Sequence, residues 1–384
     1  MMTEKFLRAP GWRRGMPLVL ALLAAAQLAA CGELLGGKSE RVNVAWAVAE
    51  ASGFDGIPAV DGQQVYVEGD TGLAAFDQGT GRKIWEPRLP TGGRSQAIVF
   101  RAGRLYSAEV QVVRAYDAGT GSVIWEHAFP SQSSPDFSAL ALDDRAVYVG
   151  TRDHRVLALN VATGATLWDV DVGRGWTFPG LVAGVSVSGD TVYAAVTRDL
   201  NPNGFEQAGV IVALQRATGA ELWRYQSAGT KSNVSSPPVV AGSLLVVADR
   251  SGNSMFAVDR ATGAEVWRVP GEAGFVGPYG PPPVADGVAY LGSGDTRVYA
   301  VDLATGRVKW RSDGTGSSIG ALGVCGDRVI VNNDDIQVLD RRTGKLLGVA
   351  MRSSDTEFAT SGVAVAGGRA FIAGSRKVYA VSCR

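Results

Sequence analysis

Few residues in this chain are equipped for chemistry. It has two histidines. His127 stands two residues after a tryptophan on what reads as an outer strand, and His154 sits in an Arg152-Asp153-His154-Arg155 turn. Those are different radial positions, so no shared metal site is expected, because ligands must converge on the ion. The densest set of oxygens, Asn332-Asn333-Asp334-Asp335 with Asp340, could hold Ca²⁺, and a solvated turn is the favoured reading. No Gly-x-Ser-x-Gly elbow, Gly-x₄-Gly-Lys loop or Cys-x-x-Cys pair occurs. The expectation is therefore a protein without catalytic residues, metal or cofactor. What remains is equipment for non-covalent recognition: Arg94, Arg174, Trp176, Phe178, Tyr225, Lys231, Phe275, Tyr279 and Phe358. Aromatic rings mixed with Arg and Lys suit a surface that binds a protein or peptide. Any one of them could equally be a lid over the core.

A recurring phrase positions these residues. It reads FDQGTGRKIW (76–85), YDAGTGSVIW (116–125), LNVATGATLW (159–168), LQRATGAELW (214–223), VDRATGAEVW (258–267) and VDLATGRVKW (301–310), with a degenerate LDRRTGKLLG (339–348). The Thr of each Thr-Gly pair falls at 80, 120, 163, 218, 262, 305 and 343. Short β-branched or aromatic runs bounded by Gly, Asp, Asn or Pro lie between copies, four to a period, which predicts one propeller blade per repeat. Thr-Gly turns the third strand into the fourth, with glycine at the positive-φ position. The tryptophan that follows is expected to fill the gap between blades; Trp85, Trp125, Trp168, Trp223, Trp267 and Trp310 are read as packing residues. Second-strand cores centre on Tyr66, Tyr106, Tyr148, Tyr193, Val246, Tyr290, Ile330 and Phe371, which predicts an all-β, eight-bladed propeller of four-stranded antiparallel blades. The last repeat lacks a fourth strand, and VNVAWAV around Trp46 is a fourth strand without a blade. The ring is expected to close by pairing that N-terminal strand into the last blade, which removes both free edges. The 163-to-218 step is the long one, through an insertion RDLNPNGFEQAG (198–209), either a contact element or a simple hairpin extension.

Composition narrows the partners. The formal net charge is zero, so no basic footprint points to nucleic acid. Lys5, Arg8, Arg13 and Arg14 precede an apolar run from Leu18 to Ala30 that is too short to span a bilayer, so residues 1–30 read as a secretory signal. Leu28-Ala29-Ala30-Cys31 resembles the bacterial lipobox, which implies acylation of Cys31 and, with Gly32 following, placement in the outer membrane facing the periplasm. Residues 31–41 read as a glycine-bearing tether whose last ten residues reach at most about 35 Å, and 42–384 as the propeller. An envelope compartment permits disulfides; with Cys325 on an inner strand and Cys383 on an outer-middle one, two buried free thiols are the favoured reading and a bridge between them is the alternative.

The phrase A-x-D-x-x-T-G-x-x-x-W resembles the tryptophan-docking repeat of pyrroloquinoline-quinone-binding-like propellers, over nearly the whole chain after the tether. One branch, the quinoprotein dehydrogenases, places its quinone against a disulfide between adjacent cysteines and holds Ca²⁺ beside a catalytic Asp; this sequence has no adjacent cysteines and no matching acidic cluster. The other, the BamB-type lipoproteins, is similar in size, lipobox, tether and N-terminal Trp strand. That resemblance implies a non-enzymatic, lipid-anchored scaffold, monomeric on its own, whose blade 3–5 loops contact the barrel-assembly complex. The corresponding loops here, GRGWTFPG (173–180) and SAGTKSNVSSP (227–237), do not carry the Leu-rich and acidic motif of that branch. The alternatives are a quinone-dependent dehydrogenase-like protein and an envelope sensor or ligand-binding lipoprotein.

Overall fold

The strand-like runs pair antiparallel with their sequence neighbours, four to a sheet. The computed structural model describes residues 42–49, 54–69, 72–86, 98–135, 138–178, 180–204, 206–228, 231–252, 254–270, 280–316, 321–353 and 359–384. They form eight four-stranded sheets. Blades 1 to 7 span residues 54–85, 98–128, 141–171, 180–226, 239–270, 284–311 and 321–351, each with its strands in chain order. Blade 8 takes three strands from Ala359–Ala366, Arg369–Gly374 and Lys377–Ser382, and its fourth from Val44–Ala49. Trp46 lies opposite Ala380 and Ala49 opposite Lys377, so the N-terminal strand closes the ring as expected. Cys31 and the other residues of 1–41 lie outside the described residues.

Register explains the spacing of the repeat. One row of side chains runs across each blade from the second strand to the fourth. It reads Tyr66–Ala75–Trp85 in blade 1, Tyr148–Ala158–Trp168 in blade 3 and Tyr193–Ala213–Trp223 in blade 4. The alanine between two large rings lets them meet over it, with centroids 5.9 to 6.0 Å apart. A bulge in the third-to-fourth pairing follows that row in blades 1 to 7. The faces of the sheets are apolar because they are covered on both sides, and the cores lie between blades. Val65, Phe76, Phe371 and Val378 fill the seam between blades 8 and 1, and Tyr193, Ile211, Leu245 and Phe256 that between blades 4 and 5.

The tryptophans then cross the seam. Each donates its indole N–H to the backbone carbonyl just after the acid or amide of the next blade's third-to-fourth turn. Trp46 reaches Gln78, Trp85 Ala118, Trp125 Val161, Trp168 Arg216, Trp223 Arg260, Trp267 Leu303 and Trp310 Arg341, at 2.8 to 3.1 Å. The indole ring rests on the turn glycine. A Cβ on Gly263 (φ +75°) would lie 2.5 Å from Trp223 Cε3, so both the backbone conformation and the ring exclude a side chain there.

The seam between blades 7 and 8 is built differently. Blade 7 has Gly348 where a tryptophan would stand, and Val338 fills the row beside it. There the expectation of free thiols fails: Cys325 and Cys383 form a disulfide with Cα atoms 5.3 Å apart. Radial position within one blade is the wrong measure across a seam. The first-to-second turn of one blade meets the third-to-fourth turn of the next. The same juxtaposition pairs Asp143 with Arg216, and Asp286 with Arg341.

Candidate functional site

Two faces result, and they differ. The lower face carries the first-to-second and third-to-fourth turns, with their repeated tryptophan docks. The upper face carries the second-to-third turns and the connections between blades, and there the described residues make no repeated dock; the contacts differ from one place to the next. Asn333 donates to the Thr315 carbonyl, as does Gln337, both at 2.8 Å. Thr197 Oγ1 donates to Val234 O. The buried Asp249 carboxylate accepts from Ser232 Oγ, and from the backbone N–H groups of Asn233 and Gly252. In blade 2 the buried Glu109 accepts from Ser107, Tyr116 and the Arg114 guanidinium, which also reaches Glu126. Burial and the adjacent Glu109 carboxylate push the Tyr116 hydroxyl well above the usual phenol range.

Among the described residues, blades 3 to 5 make the most developed part of this face. The 198–209 insertion lengthens the first three strands of blade 4 to nine residues each and leaves a short turn between Asp199 and Gln207. The connection to blade 5 runs beside it, with Lys231 bridged parallel to Gln207 and Ser232 N–H donating to Gln207 O. Gln207 in turn donates to Asp199 and accepts from Asn233 Nδ2. These residues, with Arg152, Gly180, Leu181 and Thr197, line a pocket of ≈ 420 Å³.

Beside that pocket Trp176 sits half-buried between two glycines. A Cβ on Gly173 would come within 2.9 Å of its ring and one on Gly180 within 2.6 Å. His154 packs edge-on to the ring at 5.8 Å while holding Asp171 through Nδ1 at 2.8 Å. The Arg198 and Arg224 guanidinium groups lie 5.1 and 5.8 Å from the ring centroid, within cation–π range. Trp176 is thus a rigid aromatic platform flanked by cations, with Arg174 exposed next to it.

The residues singled out from the sequence divide into groups. Arg174, Trp176, Phe178 and Lys231 fall on the upper connections of blades 3 to 5. Tyr225 does not: it lies on the fourth strand of blade 4, where it packs on Phe256 and donates to Glu265, and its oxygen accepts from Arg268 at 2.7 Å. Burial, with that carboxylate, raises its hydroxyl pKa, so it is a seam residue by geometry. Arg94, Phe275, Tyr279 and Phe358 lie outside the described residues. The structure adds His154, Arg198, Arg224 and Asn233. The insertion and the Arg-Asp-His-Arg turn signalled two of these, but not their convergence on Trp176. His127 is elsewhere, with Nδ1 2.9 Å from Gly164 O and its ring edge-on to Phe129. The Asn332–Asp335 run and Asp340 occupy opposite ends of one strand pair, Asp335 opposite Asn333 and Asp340 opposite Arg328. Among the described residues no three His, Cys, Asp or Glu side chains gather to hold a metal. The donor set does not fit a quinone with Ca²⁺, and the one disulfide joins residues 58 apart in sequence.

Eight four-stranded blades, seven of whose seams are docked by a tryptophan on the Thr-Gly turn of the next blade, define a propeller of the pyrroloquinoline-quinone-like repeat class. The family described as outer membrane protein assembly factor BamB matches residues 28–99, 69–248 and 207–384, and the chain belongs to that family. No curated protein matches it by sequence. Among solved structures, BamB from Moraxella catarrhalis is similar with TM-score 0.55 and 19% identity, over 74% of this chain and 93% of that one. Quinohemoprotein alcohol dehydrogenase from Comamonas testosteroni is similar with TM-score 0.71 and 15% identity, over 90% and 77%. The computationally designed Ika8 protein gives TM-score 0.69 and 18% identity, over 87% and 97%. At those identities the likeness is one of fold.

Proposed function

We propose that this protein is a non-enzymatic scaffold of the bacterial envelope, lipid-anchored through Cys31 after removal of residues 1–30. Tethered by residues 31–41 to the periplasmic side of the outer membrane, it assists the assembly of outer-membrane β-barrels. The match to the BamB family along the chain carries this reading. The contact surface is the upper face of blades 3 to 5, whose connections carry Arg174, Trp176, Phe178 and Lys231, together with the pocket lined by Arg152, Asp199, Gln207 and Asn233. An aromatic platform fixed by packing and ringed by cations suits a protein partner, because it gives up little conformational freedom on binding. Site-specific photocrosslinking in intact envelopes tests it. Probes at positions 174 and 231 should capture the barrel-assembly core subunit, and a probe at the lower-face position 144 should not. Cys31→Ser should move the protein from the membrane to the soluble fraction. Absence of that subunit from the crosslinks, with normal barrel levels in a deletion strain, would overturn the proposal.

A further inference from the structure

Seven seams of the ring share one fastening and the eighth has another. Trp46, Trp85, Trp125, Trp168, Trp223, Trp267 and Trp310 each bond the carbonyl that follows the turn acid or amide of the next blade. Blade 8 cannot receive such a ring in the same way. Its fourth strand comes from Val44–Ala49, so no third-to-fourth turn, and no turn glycine, lies there. The residue at the carbonyl position is Cys383, whose N–H bonds Gly368 O as Ala118 N–H bonds Gly103 O and Leu303 N–H bonds Gly287 O. Blade 7 correspondingly has no tryptophan, and places Cys325 at the end of its first strand, facing Cys383. The two changes fall at one seam, the one between blade 7 and the blade that the N-terminal strand completes.

We infer that the Cys325–Cys383 disulfide is a covalent clasp that replaces the missing tryptophan dock, and that the chain is a substrate for a thiol–disulfide oxidant of its compartment. The two thiols lose two protons and two electrons as the S–S bond forms, and a disulfide of the oxidant is reduced to a dithiol. Exposures of 1% for Cys325 and 9% for Cys383 shield the finished bond, so it acts as a permanent fastening and not as a readily reduced switch. The bond joins blade 7 to blade 8 and leaves the binding face of blades 3 to 5 untouched. This inference therefore stands or falls separately from the proposed scaffold role.

The test uses the full chain extracted from its envelope. Alkylation under denaturing conditions without reductant should leave Cys325 and Cys383 unmodified, and adding reductant should make both reactive. A closed loop of 58 residues corresponds to about a thousand-fold shift in the unfolding equilibrium. The Cys325→Ser/Cys383→Ser variant should therefore unfold at lower denaturant. Its backbone amides in Val44–Ala49 and Lys377–Ser382 should exchange faster, while those of blades 3 to 5 change least. Should the variant fail to accumulate, wild-type protein folded first and then reduced supplies the same comparison. Free thiols at both positions in freshly extracted protein would overturn the inference. So would an unchanged unfolding midpoint with unchanged exchange in blade 8.

Discussion

Two glycines of blade 5 separate the demand of the backbone from the demand of the tryptophan dock. Gly242, in the first-to-second turn, has φ +64° and nothing within 4 Å of where its Cβ would be. Gly263, in the third-to-fourth turn, has φ +75° and would place its Cβ 2.5 Å from Trp223 Cε3. Gly242→Ala therefore meets only the left-handed backbone penalty, about 1–2 kcal/mol. Gly263→Ala meets the same penalty and must also push the indole aside. That weakens the Trp223 N–H bond to Arg260 O, worth about 1 kcal/mol net, and the tilted contact with Tyr193, worth about another 1 kcal/mol. The expected gap between the two variants is about 2 kcal/mol, roughly thirtyfold in the unfolding equilibrium. Urea unfolding followed by tryptophan fluorescence reads it directly. In a Trp223→Leu background the excess cost of Gly263→Ala should disappear, because the two changes remove one interaction. Equal destabilisation by Gly242→Ala and Gly263→Ala would refute the argument that the indole holds the turn.

Other outcomes follow from the same coordinates. Glu109→Ala leaves the buried Arg114 without its main partner and should destabilise by about 3–5 kcal/mol, with Glu109→Gln losing less; equal unfolding midpoints for wild type and Glu109→Ala would contradict this. Hydrogen bonds from the turn threonines hold the carboxyls of Asp77, Asp259, Asp302 and Asp340 below the ordinary range. A folded-state pKa below the unfolded one gives stability that is present above about pH 4 and is lost as pH falls through the folded value. Asp259→Asn should flatten that acid limb while keeping the turn, since Asn160 already makes it with N–H bonds at 2.9 and 3.1 Å; an unchanged acid limb would count against it. Trp176→Ala should reduce crosslinking from position 174 without shifting the unfolding midpoint by more than an ordinary half-buried aromatic does; full retention of the crosslink would remove Trp176 from the contact surface.

Much of this architecture was legible because the repeat records it. Blade number, the turn at each Thr-Gly and the closing role of the Trp46 strand all depend on spacing along the chain, which the sequence displays. The rule that failed for Cys325 and Cys383 was one of geometry between chain neighbours. Two residues on strands at different radii look remote until the seam brings one blade's first turn under the next blade's third. Tyr225 was misplaced for a simpler reason. The fourth strand of blade 4 runs on to Gln226, so a residue read as part of the connection belongs to the sheet. The Trp176 platform was half visible: its aromatic and cationic residues stood out by type. Its neighbours His154, Arg198 and Arg224 come from three separate strands or turns, and no local pattern announces such a meeting.

The entry of Val44–Ala49 into blade 8 also fixes how a load would act on the ring. A pull on the chain before Val44 enters the ring through that strand, so it is met first by the strand's hydrogen bonds to Lys377–Ser382. Ser382 N–H is also bonded to Asn43 O, at the point where the force arrives. One residue further on, the sulfur bridge to Cys325 hands that force to blade 7.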